Sequence, residues 1–210
     1  MNRIRIHYRK FGNLIYTGSL DLQKIWERSF RRAGFSLAYS SGFHPQARIQ
    51  QSAPLPLGFF GSDEIVDIWL SSSVEILTLI NDLPKYFPEG LEIISIENID
   101  CNSPALQNLI IAAEYEIKAS NLDINIINQA IAVFCATPHY MMIKRGKEID
   151  LRFLVESINI DNDKSIGNNI IIQMRLKHLP GATGRPEDVL QAINVNYFES
   201  EITRLSLVFR

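Results

Sequence analysis

Residues 2–11 alternate Ile4, Ile6 and Tyr8 with Arg3, Arg5 and Arg9, the period-two pattern of a strand with one face buried. Gly12-Asn13 ends it. The spacing then turns helical over 19–33, where Leu22, Ile25, Trp26, Ser29, Phe30 and Ala33 fall on one side. Ser19 is the expected N-cap of that helix and Gly34 its expected stop. Two short extended pieces, 35–40 and 46–53, are joined by Ser40-Ser41-Gly42-Phe43-His44-Pro45, and Pro54-Leu55-Pro56-Leu57-Gly58 is rigid, turn-forming punctuation. Residues 63–70 alternate as a strand. Residues 74–86 read as a helix with Pro84 near its end, and 91–99 as another strand.

After the polar stretch 101–108 the same order returns. A strand is expected near 109–119, a helix near 123–136, strands near 139–145, 148–160 and 168–178, a helix near 186–194 and a last strand at 198–209. Each half therefore reads β-α-β-β-β-α-β. The predicted fold is α+β: two tandem ferredoxin-like (RRM-like) sandwiches, each with helices on one face of a mostly antiparallel sheet. The expected division is 1–100, a linker at 101–108, and 109–210.

The chain has 210 residues, 46% of them apolar and 21% charged, a globular composition with no 18-residue uncharged apolar run. No signal peptide is visible after Met1, and a cytoplasmic protein without a membrane partner is expected. Cys101 and Cys135 lack the spacing of an iron–sulfur or zinc site, and His7, His44, His139 and His178 are scattered. No phosphate-cradling glycine motif and no nucleophile elbow is present, so no cofactor, no metal and no catalytic residue is expected. The net charge of −2 hides an asymmetry. Residues 1–50 hold nine Lys/Arg against Asp21 and Glu27, whereas the other 160 residues hold 12 basic and 21 acidic groups. Such a split points to an anionic partner for one surface, or to two halves that neutralise each other.

Candidate contacts follow from that asymmetry. Lys24, Arg28, Arg31 and Arg32 occupy about 100° of arc opposite the apolar side of the first helix. Arg3, Arg5 and Arg48 join them as candidate phosphate contacts, with Tyr39, Ser40, Phe43 and His44 beside them. Phe43 and His44 either stack on a base or staple their loop to the sheet. Lys144-Arg145-Gly146-Lys147 has the form of a basic hairpin turn. In Leu179–Leu190, Pro186 stands at a first helical position. Arg185 and the free amides there suit a phosphate, although Glu187 and Asp188 oppose one.

The segment Arg28–Gly58, RSFRRAGFSLAYSSGFHPQARIQQSAPLPLG, resembles the opening of the radical-SAM-linked family, the DUF2344 domain. The residues that carry the likeness are Arg31-Arg32-Ala33-Gly34, Ala38-Tyr39-Ser40, Gly42-Phe43, Pro45 and Ala53–Gly58; Lys144–Phe153 and Arg185–Leu190 resemble later family motifs. The family's SHLD-type helix start reads Gly18-Ser19-Leu20-Asp21 here, without its His, and His44 stands where Asn is usual. The resemblance implies a domain found beside, or fused to, a radical S-adenosylmethionine enzyme, often near RNA-processing genes. With no three-cysteine cluster motif, this chain would be the accessory part and not the radical enzyme. Three functions compete: a non-catalytic module binding tRNA or rRNA, a protein–protein adaptor docking onto the radical enzyme, and an RNA-modifying enzyme of tandem RRM-like fold with Asp21 and Asp67 as candidate acids. All anion-docking readings require the amino-terminal cations to gather on one outward surface.

Overall fold

The alternation at the amino terminus forms β1 (Asn2–Lys10), whose Ile4, Ile6 and Tyr8 are buried. In this computed structural model, which describes residues 1–144 and 146–210, the chain is a mixed α/β protein with five α-helices and mostly antiparallel strand pairing among the described residues. It divides into two units, Met1–Leu109 and Ile110–Arg210.

In the first unit, β1 is followed by α1 (Ser19–Arg32), β2 (Ile49–Gln51), β3 (Phe60–Leu70), α2 (Ile76–Asp82) and β4 (Leu91–Ile99). The sheet order is β4-β1-β3-β2. Trp26 and Phe30 of α1 are fully buried against Ile4, Ile6, Val66, Ile68 and Leu70. The Trp26 ring meets those of Tyr8 and Phe87 edge-on at 5.1 and 5.2 Å. Burying a side chain of this size is worth about 2–3 kcal/mol, so α1 is fixed by its apolar stripe more than by its ends. Gly34 stops α1 at φ +79°. Gly18, not Ser19, holds the N-cap position, and no side chain caps it.

Three expectations change in this unit. The pieces at 35–40 and 46–53 pair only through isolated bridges, Leu37 with Leu70 and Tyr39 with Ala47, and through three-residue β2. Gly42, Pro45 and Pro54 interrupt any longer ladder. The helix expected over 74–86 breaks into α2 and a 3₁₀ turn, Leu83–Tyr86, because Pro84 supplies no N–H. Segment 101–108 is packed into the first unit: Leu106 is fully buried, and Arg3 donates to the Ser103 and Pro104 carbonyls at 2.6 and 3.0 Å.

The second unit runs β5 (Ile110–Ala119), α3 (Ile124–Ala136), β6 (Met141–Lys144), β7 (Lys147–Asp150), α4 (Leu151–Leu154), β8 (Val155–Ile160), β9 (Ile170–Leu179), β10 (Ala182–Thr183), α5 (Pro186–Ala192) and β11 (Ser200–Phe209). Its sheet order is β11-β5-β9-β8, with β10 on the end of β9 and β6–β7 a separate hairpin. Asp123 caps α3 by accepting the Asn125 and Ile126 amides. The single strand expected over 148–160 is cut by α4, since the Asp150 side chain accepts the Arg152 and Phe153 amides and starts a helical turn. No helix among the described residues is long and apolar enough to cross a membrane.

Candidate functional site

Helix α1 turns Leu22, Trp26, Ser29 and Phe30 inward, which leaves Lys24, Arg28, Arg31 and Arg32 exposed on the other side. Their surroundings differ. Lys24 donates to Asp21 at 3.1 Å, and Arg31 lies 4.0 Å from Glu27. Arg28 and Arg32, one helical turn apart, reach no carboxylate among the described residues. Arg31 and Arg32 also sit in the last turn of α1, where the helix dipole favours cations.

The loop that follows is tied to this helix. The exposed Tyr39 hydroxyl donates to Glu27 at 3.2 Å, and partial burial, followed by the Glu27 carboxylate, raises its pKa. The Ser40 amide donates to the Gln46 carbonyl at 2.9 Å, and the Gln46 amide donates to Ser40 Oγ at 3.0 Å. Gly42 takes φ +133° inside that clasp, which leaves Phe43 fully exposed at the tip with His44 exposed beside it. Phe43 therefore does not staple the loop to the sheet.

The other candidate cations are engaged elsewhere. Arg3 is 1% exposed: Nε and Nη2 donate to Asp67 at 3.1 and 2.5 Å, Nη1 and Nη2 donate to the Ser103 and Pro104 carbonyls, and the guanidinium lies over Trp69. It cannot serve as a surface phosphate contact, because four of its five N–H donors already have partners inside the unit. Arg5 also donates twice to Asp67, at 2.9 and 3.1 Å. Asp67, with no exposed surface, anchors both guanidinium groups; Asp21 is exposed and paired with Lys24. Arg48 is half-buried over the Trp69 ring at 4.7 Å.

In the second unit, Lys144 donates to both carboxylate oxygens of Asp188, so its charge is neutralised and it is not a free backbone contact. Arg185 is half-buried at the N-cap position of α5, and a phosphate there would face Glu187 and Asp188 in the same first turn. Arg145 lies outside the described residues. Grouped by unit, the charge asymmetry disappears: the first unit has ten Lys/Arg and eleven Asp/Glu, the second eleven and twelve. The cations of residues 1–50 thus do not form one outward surface. The face that remains consists of Arg28, Arg31, Arg32 and the Phe43 loop.

One arrangement was not anticipated from the sequence. His139 Nδ1 lies 2.7 Å from Asp150 Oδ2 across the β6–β7 hairpin. Its signal was present in the hairpin register. Pairing Lys144 with Lys147 carries Met141 to Asp150 and brings His139 to the same end.

The family model described as "Uncharacterized protein conserved in bacteria (DUF2344)" matches residues 3–186. No curated protein matches the chain. Among solved structures, a Cbf5-Nop10-Gar1 complex is similar at 12% identity and a TM-score of 0.49, covering 98% of this chain and 48% of that one, so this chain spans about half its length. A putative glycine cleavage system transcriptional repressor matches at 11% identity and a TM-score of 0.28, covering 100% of this chain and 98% of the other. The acetolactate synthase small subunit from Thermotoga maritima matches at 14% identity and 0.26, covering 99% and 95%.

Proposed function

We propose that this chain, which belongs to the DUF2344 family, is a non-catalytic accessory module of the cytoplasm that binds RNA through α1 and the Ser40–Gln46 loop and works beside a radical S-adenosylmethionine enzyme. Each unit is read as a ferredoxin-like sandwich. What supports that reading is the strand order, β4-β1-β3-β2 in the first unit and β11-β5-β9-β8 in the second, with the fourth strand beside the first and the third between the first and second.

The observation that carries RNA binding is the pairing of two uncompensated cations, Arg28 and Arg32, with a fully exposed aromatic ring on a loop tied to the same helix. Arginines neutralise phosphates and set orientation, while an exposed ring stacks on any base for about 1–3 kcal/mol. With Arg28, Arg31 and Arg32 as the contacts, the log–log salt slope of binding to single-stranded RNA is about −2. The test is a titration with a tRNA fragment at several salt concentrations. The Arg28→Glu/Arg32→Glu variant should lose most of the slope, and Phe43→Ala should lose affinity while keeping it. A slope near zero, or a double variant that binds as the parent does, removes the proposal.

A second reading is favoured by the even charge of the first unit and by its exposed Tyr16 and Leu57, which are apolar and stand close to Gly58. In it the chain is an adaptor whose small basic face orients an acidic partner protein, the radical enzyme. Ribonuclease-resistant co-purification with that enzyme at low salt supports it, and loss of co-purification on ribonuclease treatment counts against it.

A further inference from the structure

The second unit contains a cleft of about 340 Å³ lined by Cys135, His139, Asp150, Arg152, Phe153 and Lys177 among others. That volume lies at the lower end of the range for small-ligand sites. Asp150 organises it. One carboxylate oxygen accepts the Tyr140, Arg152 and Phe153 amides at 3.0, 3.1 and 3.4 Å, and the other faces His139 Nδ1 at 2.7 Å. The His139 hydrogen bond, opposed by burial and aided by the Tyr140 and Phe153 amides, holds the Asp150 carboxyl below its ordinary value. A carboxylate facing Nδ1 favours the imidazole tautomer with the proton on Nδ1, which leaves Nε2 as the acceptor nitrogen of a side chain 73% exposed.

Two cations share the cleft. Lys177 reaches no carboxylate among the described residues, and its ammonium lies 3.9 Å from the centre of the Phe153 ring. Arg152 donates to the Cys135 and Val155 carbonyls, and its charge thereby offsets the negative end of α3, which would otherwise repel an anion. Asp150 is the one carboxylate among the lining residues, and its oxygens are already engaged.

We propose that this cleft is a binding site for a phosphate monoester group, held by Lys177 and His139 Nε2. An ionised carboxylate carries no O–H and offers the cleft acceptor oxygens only. A phosphate monoester has its second pKa near 6. Its oxygens accept from the Lys177 ammonium, and its monoanion also carries a P–O–H that donates a hydrogen bond to Nε2. The source is either a small phosphate ester or the terminal phosphate of a nucleic acid, and the proposal is independent of the α1 face.

The experiment follows backbone amide shifts of the full chain during titration with inorganic phosphate, phenyl phosphate and benzoate. Saturable shifts at residues 135–140, 150–153 and 177 are expected, with benzoate binding about ten-fold more weakly. Lys177→Gln and His139→Asn, both substitutions of solvent-reaching side chains, should each weaken phenyl phosphate binding about ten-fold, and Arg28→Glu/Arg32→Glu should leave it unchanged. Tighter binding of a 5′-phosphorylated than a 5′-hydroxyl oligonucleotide identifies a nucleic-acid end as the source; equal binding of the two, with phenyl phosphate still saturable, identifies a small ester. Non-saturating shifts, equal response to benzoate, or full binding by Lys177→Gln overturns the proposal.

Discussion

Replacing Asp67 by Ala strands an almost wholly buried cation, Arg3. Asp67 has no exposed surface and receives four guanidinium hydrogen bonds, two from Arg3 and two from Arg5. The two arginines then fare differently. The Arg5 side chain is 18% exposed and can turn toward water, so its loss is within about 1 kcal/mol. Arg3 is 1% exposed and keeps only two carbonyls and the Trp69 ring. Breaking a buried pair on one side costs about 3–5 kcal/mol, because the desolvated charge is left behind. Against a typical total of about 5–15 kcal/mol, that is a large share. Thermal and urea unfolding of Asp67→Ala should report it, and hydrogen exchange should show residues 101–108 loosening first, since Arg3 holds the Ser103 and Pro104 carbonyls. The double variant Arg3→Met/Asp67→Leu removes both charges and should recover more than half of the loss. A cost below about 1 kcal/mol for Asp67→Ala, or a double variant worse than the sum of its parts, refutes the assignment of Arg3 and Asp67 as a buried structural pair.

Gly90→Ala should destabilise by about 2–5 kcal/mol in urea unfolding. Gly90 has φ +92°, and a Cβ there would stand 2.3 Å from the Phe11 carbonyl oxygen and 2.9 Å from Leu14 Cβ. His178 gives a pH effect: burial, then Arg204, lowers its pKa from the ordinary 6.5. Below that value the unfolded state binds the proton and the folded state resists it, so this contribution to stability is intact above pH 6.5 and is lost as pH falls toward the folded pKa. The melting temperature between pH 7.5 and 5.5 should therefore decline less in His178→Asn than in the parent.

Strands and helices with a clear apolar period were legible in the sequence. Residues 91–99 form β4 with the bounds read from alternation, and α1 follows its stripe from Ser19 to Arg32. Reading failed where a single side chain decides the local path. Asp150 caps a four-residue helix inside what looks like one long strand, a choice made by two backbone amides that alternation does not register. Pro84 shortens α2 in the same way. The stretch at 101–108 looked like a linker because it is polar, yet Leu106 and the carbonyls that receive Arg3 pack it down. Of the candidate site, the α1 stripe and the exposed loop could be seen in advance, whereas the His139–Asp150 pair required a hairpin register that no single motif encodes.

The charge of residues 1–50 shows why a count along the chain is a poor guide to a surface. Arg3, Arg5, His7 and Arg9 alternate with buried residues on β1, so they share the sheet's other face, but alternation says nothing about what lies across from them. The pairing of β1 with β3 sets Arg5 opposite Asp67 and Arg3 opposite Trp69, and the pairing with β4 sets Arg5 opposite Glu97 and Arg9 opposite Glu92. Acidic residues more than fifty positions away are thus brought to the arginines by the same register that builds the core. Cations on α1 escape this because a helix facing solvent meets only its own i±3 and i±4 neighbours. There Asp21 and Glu27 account for Lys24 and Arg31, and no acidic residue stands three or four places from Arg32 or from Arg28, whose neighbours at those spacings are Lys24, Ile25, Arg31 and Arg32. Arg28 and Arg32 stay uncompensated for a reason written in the helix itself, which makes them the residues on which an anionic partner would depend.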